Sequence, residues 1–417
     1  MQTLASGDGS DDIGTLRQSL LDYLKSAGSI HTPSAEDAFR NVSRHLFLPD
    51  VALDQVYRDQ SVPTKRIDGQ VVSSSSQPAI MATMLEQLDL KPGHRVLEIG
   101  AGTGYNAALM AHVVGNSGHI VTVDIDEDLT ISARKHLSAA GFGRVRVVCG
   151  EGGLGCADAA QYDRIVLTVG AWDILPAWRE QLAPGGRLLL PLEIEGGVQK
   201  SVAFEQADDC MESVSVKDCG FMRLRGRFAR PASGSVIQIG PEPGLNLYVD
   251  HRTVVDADAI YELLMSSGRD RSTTVRVTPG EVPFGGLALW LSLREPGLCG
   301  LSAEGNMADR DLVPCFQEHT GEWKYCFTVG LLGDDSLSVF IPQQDYRGTV
   351  ELKVRSYGPS PAVGQRLVDQ VVAWDAAGRP SSEGLRIRAY PHDTDYVPSA
   401  NEFVVPKERT QLVLHWN

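Results

Sequence analysis

A spaced set of glycines and carboxylates, preceded by a run of serines, carries the chemistry in this sequence. Glycines stand at 100, 102 and 104 in VLEIGAGTGYNAALMA, with Glu98 two residues before the first. Glycines in a strand-to-helix turn let the backbone bend tightly and approach a ligand closely. The pattern is G-x-G-x-G rather than the dinucleotide G-x-G-x-x-G, because Tyr105 holds the place of the third glycine. An acid at 98 repels a pyrophosphate but can face a cationic ligand. Asp124 stands in VTVDID, a strand end about twenty residues further on, where a carboxylate can accept both hydroxyls of a ribose. Asp126 is expected to cap the following helix. Glu151 in CGEGG follows the third strand, where it can read an adenine amine. Upstream, VVSSSSQPAI sets four serines before Gln77 and Pro78. That stretch is either a polar loop ending in a helix cap or a hydroxyl held against a substrate.

The acid at 98 with the three glycines is the E-x-G-x-G-x-G signature of S-adenosyl-L-methionine-dependent methyltransferases; the plain alternative is a turn with no ligand. The expected cofactor is therefore S-adenosyl-L-methionine, leaving as S-adenosyl-L-homocysteine. His31, His45, His94 and His112 lack metal-ligand spacing, and no metal is expected.

These residues need a scaffold. Residues 12–50 have helical periodicity. Residues 80–194 alternate helix and strand, which predicts βαβ units on a parallel sheet. SVAFEQ and CGFMRLRG read as a hairpin on the sheet edge. The expected fold class is α/β, a Rossmann-like class I methyltransferase with a doubly wound sheet and a terminal antiparallel hairpin, plus an α+β, strand-rich C-terminal domain. The expected divisions are an N-terminal helical and active-site loop region (1–79), a methyltransferase core (80–228), a linker ARPASGS (229–235) and an accessory, substrate-recognition domain (236–417). TTVRV, LALWLSL, KYCFTVGLL and TVELKVRSY are read as strands there, with helices at DADAIYELLMSSG and GQRLVDQVVAWDAAG.

The 417-residue chain is 42% hydrophobic and 22% charged, with a formal net charge of −15. The charge argues against nucleic acid as partner, since phosphate neutralisation needs excess Lys and Arg. No apolar run approaches the roughly 18–20 residues of a membrane span, the N-terminus is no signal peptide, and a cytoplasmic location is expected. Seven cysteines without a C-x-x-C fit reduced thiols better than a disulfide frame. RLRGRFAR, at 223–230, is a basic run, either a solvated strand end or a peptide contact.

With these residues in place, the chain resembles the protein-L-isoaspartate O-methyltransferase family over roughly 12–228. AFRNVSRHLFLPD resembles the family's pre-catalytic helix, SSSQP at 74–78 its Thr-Ile-Ser-Gln-Pro element, and KPGHRVLEIGAGTGY, GEGGLG and LAPGGRLLLPL its later motifs in order. The resemblance implies that Ser76 is the active-site serine, with Ser73, Ser74 and Ser75 as loop and cap residues. Around the donor it implies Ser75, Gln77, Glu98, Gly100, Gly102, Thr103, Gly104, Tyr105, Asp124, Ile125, Glu151, Gly152 and Val169. Around the acceptor it implies Ser74, Val169, Gly170 and Trp172. Glu151 stands where the family has Asp, and TVGAWDIL replaces a small, alanine-rich segment, which directs attention to Trp172 and Asp173 at the acceptor pocket. The extension past the sheet resembles relatives that methylate an aspartate of a ribosomally made precursor peptide. Three functions follow: tailoring of such a peptide, general isoaspartate repair, or a silent cofactor-binding protein. The expected partner is a peptide or protein substrate.

Overall fold

The computed structural model describes residues 8–416 apart from 68, 231–234, 251–252, 279–280, 283–284, 311, 317–324 and 345–348. The expected linker at 229–235 falls largely outside these residues.

Two sheets organise the chain. The larger has ten strands. Five are parallel and lie in the order Leu182–Glu193, Tyr162–Leu167, Arg95–Ile99, His119–Asp124 and Arg146–Cys149. These strands read as continuous apolar runs because helices cover both faces. Strand order reverses at Arg95–Ile99, which neighbours both His119–Asp124 and Tyr162–Leu167. In open α/β sheets that reversal opens a crevice at the carboxyl ends of the strands. One face packs on the N-terminal helices Asp8–Ser26 and Pro33–Asn41 and on Pro78–Leu88 and Tyr105–Val114, with Leu24, Phe39, Phe47, Leu85 and Leu109 in the shared core. Gln199–Gln206 and Met211–Asp218 continue the sheet antiparallel; the hairpin is as expected, but its second strand is MESVSVKD rather than CGFMRLRG, which follows it.

The chain beyond 236 divides between both sheets. Seven antiparallel strands between Ser235 and Tyr357 form the second sheet, covered by Ala257–Met265 and Ala362–Ala376. Leu385–Pro391, Phe403–Pro406 and Thr410–Trp416 return to the first sheet, where Leu385–Pro391 pairs with Met211–Asp218. Residues 236–417 are thus not one separate unit, which corrects the expected division. The return is locked by pairs distant in sequence. Asp173 accepts from Arg409 N–H (2.7 Å) and Thr410 Oγ1 (2.6 Å), and Lys407 Nζ donates to the Ile194 carbonyl (2.5 Å).

LALWLSL forms the helix Gly286–Ser292, not a strand. Leu289 packs into the core of the first sheet while Leu287 and Leu291 pack into that of the second. A helix apolar on all sides has no polar stripe to reveal its period. Cys315 and Cys326 form a disulfide, against the expected reduced thiols; their Cα atoms lie 4.6 Å apart, a proximity that spacing alone does not disclose. Among the described residues, no helix is long and apolar enough to cross a membrane.

Candidate active site

The glycine turn leaves the buried strand Arg95–Ile99 and enters the helix Tyr105–Val114. Gly100 has φ +105° and Gly102 φ +49°, values that L side chains rarely adopt. A Cβ on Gly100 would sit 2.5 Å from Thr168 Oγ1, whose hydroxyl donates to the Gly100 carbonyl at 2.7 Å. On Gly102 the nearest atom would be the Ser74 carbonyl oxygen at 3.9 Å, so this backbone is open. The Gly102 N–H donates to Asp124 Oδ2 (2.9 Å), and the Asp126 N–H to Asp124 Oδ1 (3.2 Å). Lone pairs remain on that carboxylate for a diol.

Above the turn lies a cleft whose empty space, open solvent at its mouth included, is about 960 Å³. Gly100, Gly102, Thr103, Tyr105, Asp124, Ile125, Gly152 and Val169 line it, as do Ser74, Ser75 and Ser76. An open glycine backbone, a strand-end carboxylate and an apolar wall suit an adenosine carrying a sulfonium.

The serine run is not a loop. Val62–Ile67 and Gln70–Ser75 form a two-stranded antiparallel hairpin, and Ser76 follows its last residue. A strand alternates its faces. Ser73 bonds Thr64 through their hydroxyls (2.9 Å), and Ser75 Oγ accepts from Arg44 Nη2 (3.4 Å). Both are buried, whereas Ser74 and Ser76 are half-buried. Pleating thereby separates one pair, fixed to the scaffold, from the other.

Arg44 is the residue that sequence reasoning missed. It is fully buried, and its guanidinium donates to the carbonyls of Val56 (3.1 Å), Gln60 (3.3 Å) and Ser76 (3.0 Å). A planar fork can hold several oxygens in fixed directions. Asp59 was also missed. Its Oδ1 accepts from Ala79 N–H (2.8 Å) and caps the helix Pro78–Leu88, while Oδ2 accepts from Gln77 Nε2 (2.7 Å). Ser76 is therefore not the side-chain cap of that helix, and Gln77 faces Asp59 rather than the cleft. The Ser-Gln-Pro spacing marked the site, but nothing local marked its distant partners.

Other expectations need correction. Glu98 is fully buried and does not line the cleft. Asn106 Nδ2 donates to its Oε1 (2.7 Å) and Thr122 Oγ1 to its Oε2 (2.6 Å). Burial pushes this carboxyl up to about 7, against those two hydrogen bonds. It braces the turn from behind rather than facing a cation. Gly104 starts the helix outside the lining. Glu151 accepts from the Arg227 N–H (3.1 Å) and also lies outside it. Gly170 pairs with the segment at 222–224, and Trp172 Nε1 donates to the Phe228 carbonyl (3.3 Å); neither lines the cleft. Asp173 anchors the returning strands instead of shaping the pocket.

Asp126 makes no side-chain cap. It pairs with Arg225 Nη2 (2.5 Å) and Lys65 Nζ (3.2 Å). Burial pushes its carboxyl up, but these two cations outweigh that and hold it below the usual range. The pairs tie the hairpin to the basic run, whose residues 223–225 line the cleft together with Phe221 and Met222. Arg223 and Arg230 pair with Glu193, so the run is not a simple solvated strand end.

The doubly wound sheet, the glycine turn and the strand-end Asp124 define a class I S-adenosylmethionine-dependent methyltransferase. The family model described as Protein-L-isoaspartate(D-aspartate) O-methyltransferase (PCMT) matches residues 15–228. A Hyperthermus butylicus protein-L-isoaspartate O-methyltransferase is 37% identical over 220 residues, covering 51% of this chain and 89% of that one. A Methanopyrus kandleri protein of the same name is 41% identical over 177 residues, covering 42% and 76%. A solved protein-L-isoaspartate O-methyltransferase matches 95% of this chain and 98% of its own, with TM-score 0.50 at 22% identity. That likeness concerns the fold, and it includes the second sheet. The chain belongs to the protein-L-isoaspartate O-methyltransferase family and is an S-adenosylmethionine-dependent protein carboxyl O-methyltransferase.

Proposed function

We propose that this protein methylates the free carboxylate of an isoaspartyl residue, or of an aspartate, within a flexible peptide segment, and that Ser76 orients that carboxylate. The observation that carries the reading is the fixed placement of Ser76 on the rim of the donor cleft, clamped through its carbonyl by buried Arg44.

S-adenosylmethionine supplies an electrophilic methyl on a sulfonium. A carboxylate oxygen forms the new bond to that methyl carbon, and the electron pair of the broken C–S bond stays on sulfur. A carboxyl of ordinary pKa, roughly 4, is ionised at pH 7, so the site needs no general base. The protein's task is alignment and exclusion of water. Of the residues lining the cleft, Asp124 would hold the ribose hydroxyls, the open backbone at Gly102 the amino-acid end, and Val169 and Ile125 the purine. Ser76 donates to the acceptor carboxylate, because an anion drawn out of water without a donor is costly. The neighbouring backbone nitrogen then attacks the ester carbonyl, the methoxy group leaves as methanol with the nitrogen's proton, and the succinimide formed is hydrolysed to aspartate or isoaspartate.

Two sources of the peptide fit. The names of the relatives and the whole-length likeness favour repair of damaged proteins, since a second sheet also occurs in a protein named for that activity. The sheet added beyond the matched residues 15–228 favours a dedicated substrate, such as a modified precursor peptide. Radiolabelled methyl transfer to short isoaspartyl and aspartyl peptides, and to a cyclised precursor peptide, separates them. Efficient turnover of generic isoaspartyl peptides supports repair; turnover of the precursor alone supports tailoring. Tight donor binding with no carboxylate methylated would leave a silent cofactor-binding protein.

A further inference from the structure

A second cleft, with about 1,630 Å³ of empty volume, opens between the two sheets. It shares Phe221, Met222 and Arg223 with the donor cleft, so the two cavities meet at one short rim. That rim is held on both sides. The Gln199 side-chain amide donates to the Phe221 carbonyl (3.1 Å) and accepts from the Phe221 N–H (2.8 Å). On the other side, the Gly170 N–H donates to the Met222 carbonyl (2.7 Å).

The far wall comes from the second sheet. Tyr248 and Phe327 meet there edge to face, with centroids 5.9 Å apart at 69°. A Cβ on Gly300 would crowd the Phe327 ring at 2.9 Å, so the missing side chain lets that ring lie over the strand. Leu298 and Val329 extend the apolar surface. At the junction, Met222 is 37% exposed. The Arg223 side chain is 45% exposed although its Nε pairs with buried Glu193. The cavity is therefore apolar and aromatic on the second-sheet side, and carries the Arg223–Glu193 ion pair where it joins the acceptor position.

We propose that this cleft is a subsite for the polypeptide flanking the methylated residue, and that it takes a large apolar side chain of the substrate, aromatic above all. The proposal rests on the peptide-methylation reading above. Continuity with the donor cleft selects the occupant: a chain whose carboxylate lies beside Ser76 can run past Met222 and Arg223, which line both cavities, into this apolar space. The half-buried rings of Tyr248 and Phe327 line the cavity and offer stacking partners to such a side chain.

The test scans a single phenylalanine through an isoaspartyl peptide otherwise made of Gly, Ser and Ala. In the full chain, kcat/KM rises about tenfold when the ring occupies a narrow window on one side of the acceptor, mainly through KM. Phe327→Ala, and Phe327→Leu should the first variant melt early, remove that gain but leave the plain peptide's kcat unchanged. A flat scan, or a gain that survives in Tyr248→Ala and both Phe327 variants, overturns the subsite. Hydrogen exchange gives a readout independent of turnover. Saturating phenylalanine peptide slows amides in 298–300 and 325–329; protection confined to 71–76 and 221–225 overturns the proposal even if methylation proceeds. Absence of any methylation with 298–300 protected overturns the functional reading instead.

Discussion

The buried guanidinium of Arg44 donates to the Ser76 backbone carbonyl at 3.0 Å and to Ser75 Oγ at 3.4 Å. One cation, from the turn Arg44–Phe47, therefore sets the end of a strand about thirty residues away. Arg44→Lys keeps the charge and loses the fork. It is expected to lower kcat about tenfold or more and to cost on the order of 3 kcal/mol of stability, read by initial rates and chemical unfolding.

Pleating predicts a graded response along the serine run. Ser76→Ala should reduce kcat by roughly 10²-fold, the scale of losing one preorganised donor, with S-adenosylhomocysteine affinity unchanged by calorimetry. Ser73→Ala should alter stability modestly and kcat little, because its hydroxyl bonds Thr64.

Asp124→Asn removes the charge that accepts from the Gly102 N–H and that we propose receives the ligand diol. Calorimetry with S-adenosylhomocysteine should show affinity weaker by about 10- to 100-fold, the loss of charge-assisted hydrogen bonds. An unchanged Kd would place the ribose elsewhere.

Glu98 sets a pH dependence of stability. Its folded-state value of about 7 lies above the ordinary 4.5, so the native protein binds the proton more tightly than the unfolded chain does. The contribution is fully present below pH ~4.5 and is lost as pH rises through ~7. At pH 8 the buried charge then costs on the order of 3 kcal/mol. Glu98→Gln should flatten this slope, so that its stability relative to the native protein improves from pH 5 to pH 8 in urea titrations.

Asp173 couples the methyltransferase sheet to the returning strands. Asp173→Ala strands the Ile174 and Arg409 N–H groups and the Thr410 hydroxyl. The expected cost is about 2–4 kcal/mol, with the donor's Kd unaltered. A change in that Kd with stability intact would instead return Asp173 to the acceptor pocket, where the sequence first directed it.

The sequence by itself determined what short range can encode. The glycine turn, the strand-end Asp124 and the Ser-Gln-Pro element are local patterns that can be read from adjacent residues, and the turn, Asp124 and Ser76 meet at one cleft. The alternating elements of 80–194 are legible for the same reason, since each strand is a short apolar run and each helix is bounded by its own turn residues. Tertiary structure decided the rest. Glu98 carries the right letter in the right motif, yet Asn106 and Thr122 turn it inward. The helix at 286–292 has apolar neighbours on every side and so no stripe to betray it. Arg44 beside Ser76, Asp173 beside Thr410, and the return of 385–416 to the first sheet join residues far apart along the chain, and no local spacing records which distant group will satisfy a buried charge or a strand edge.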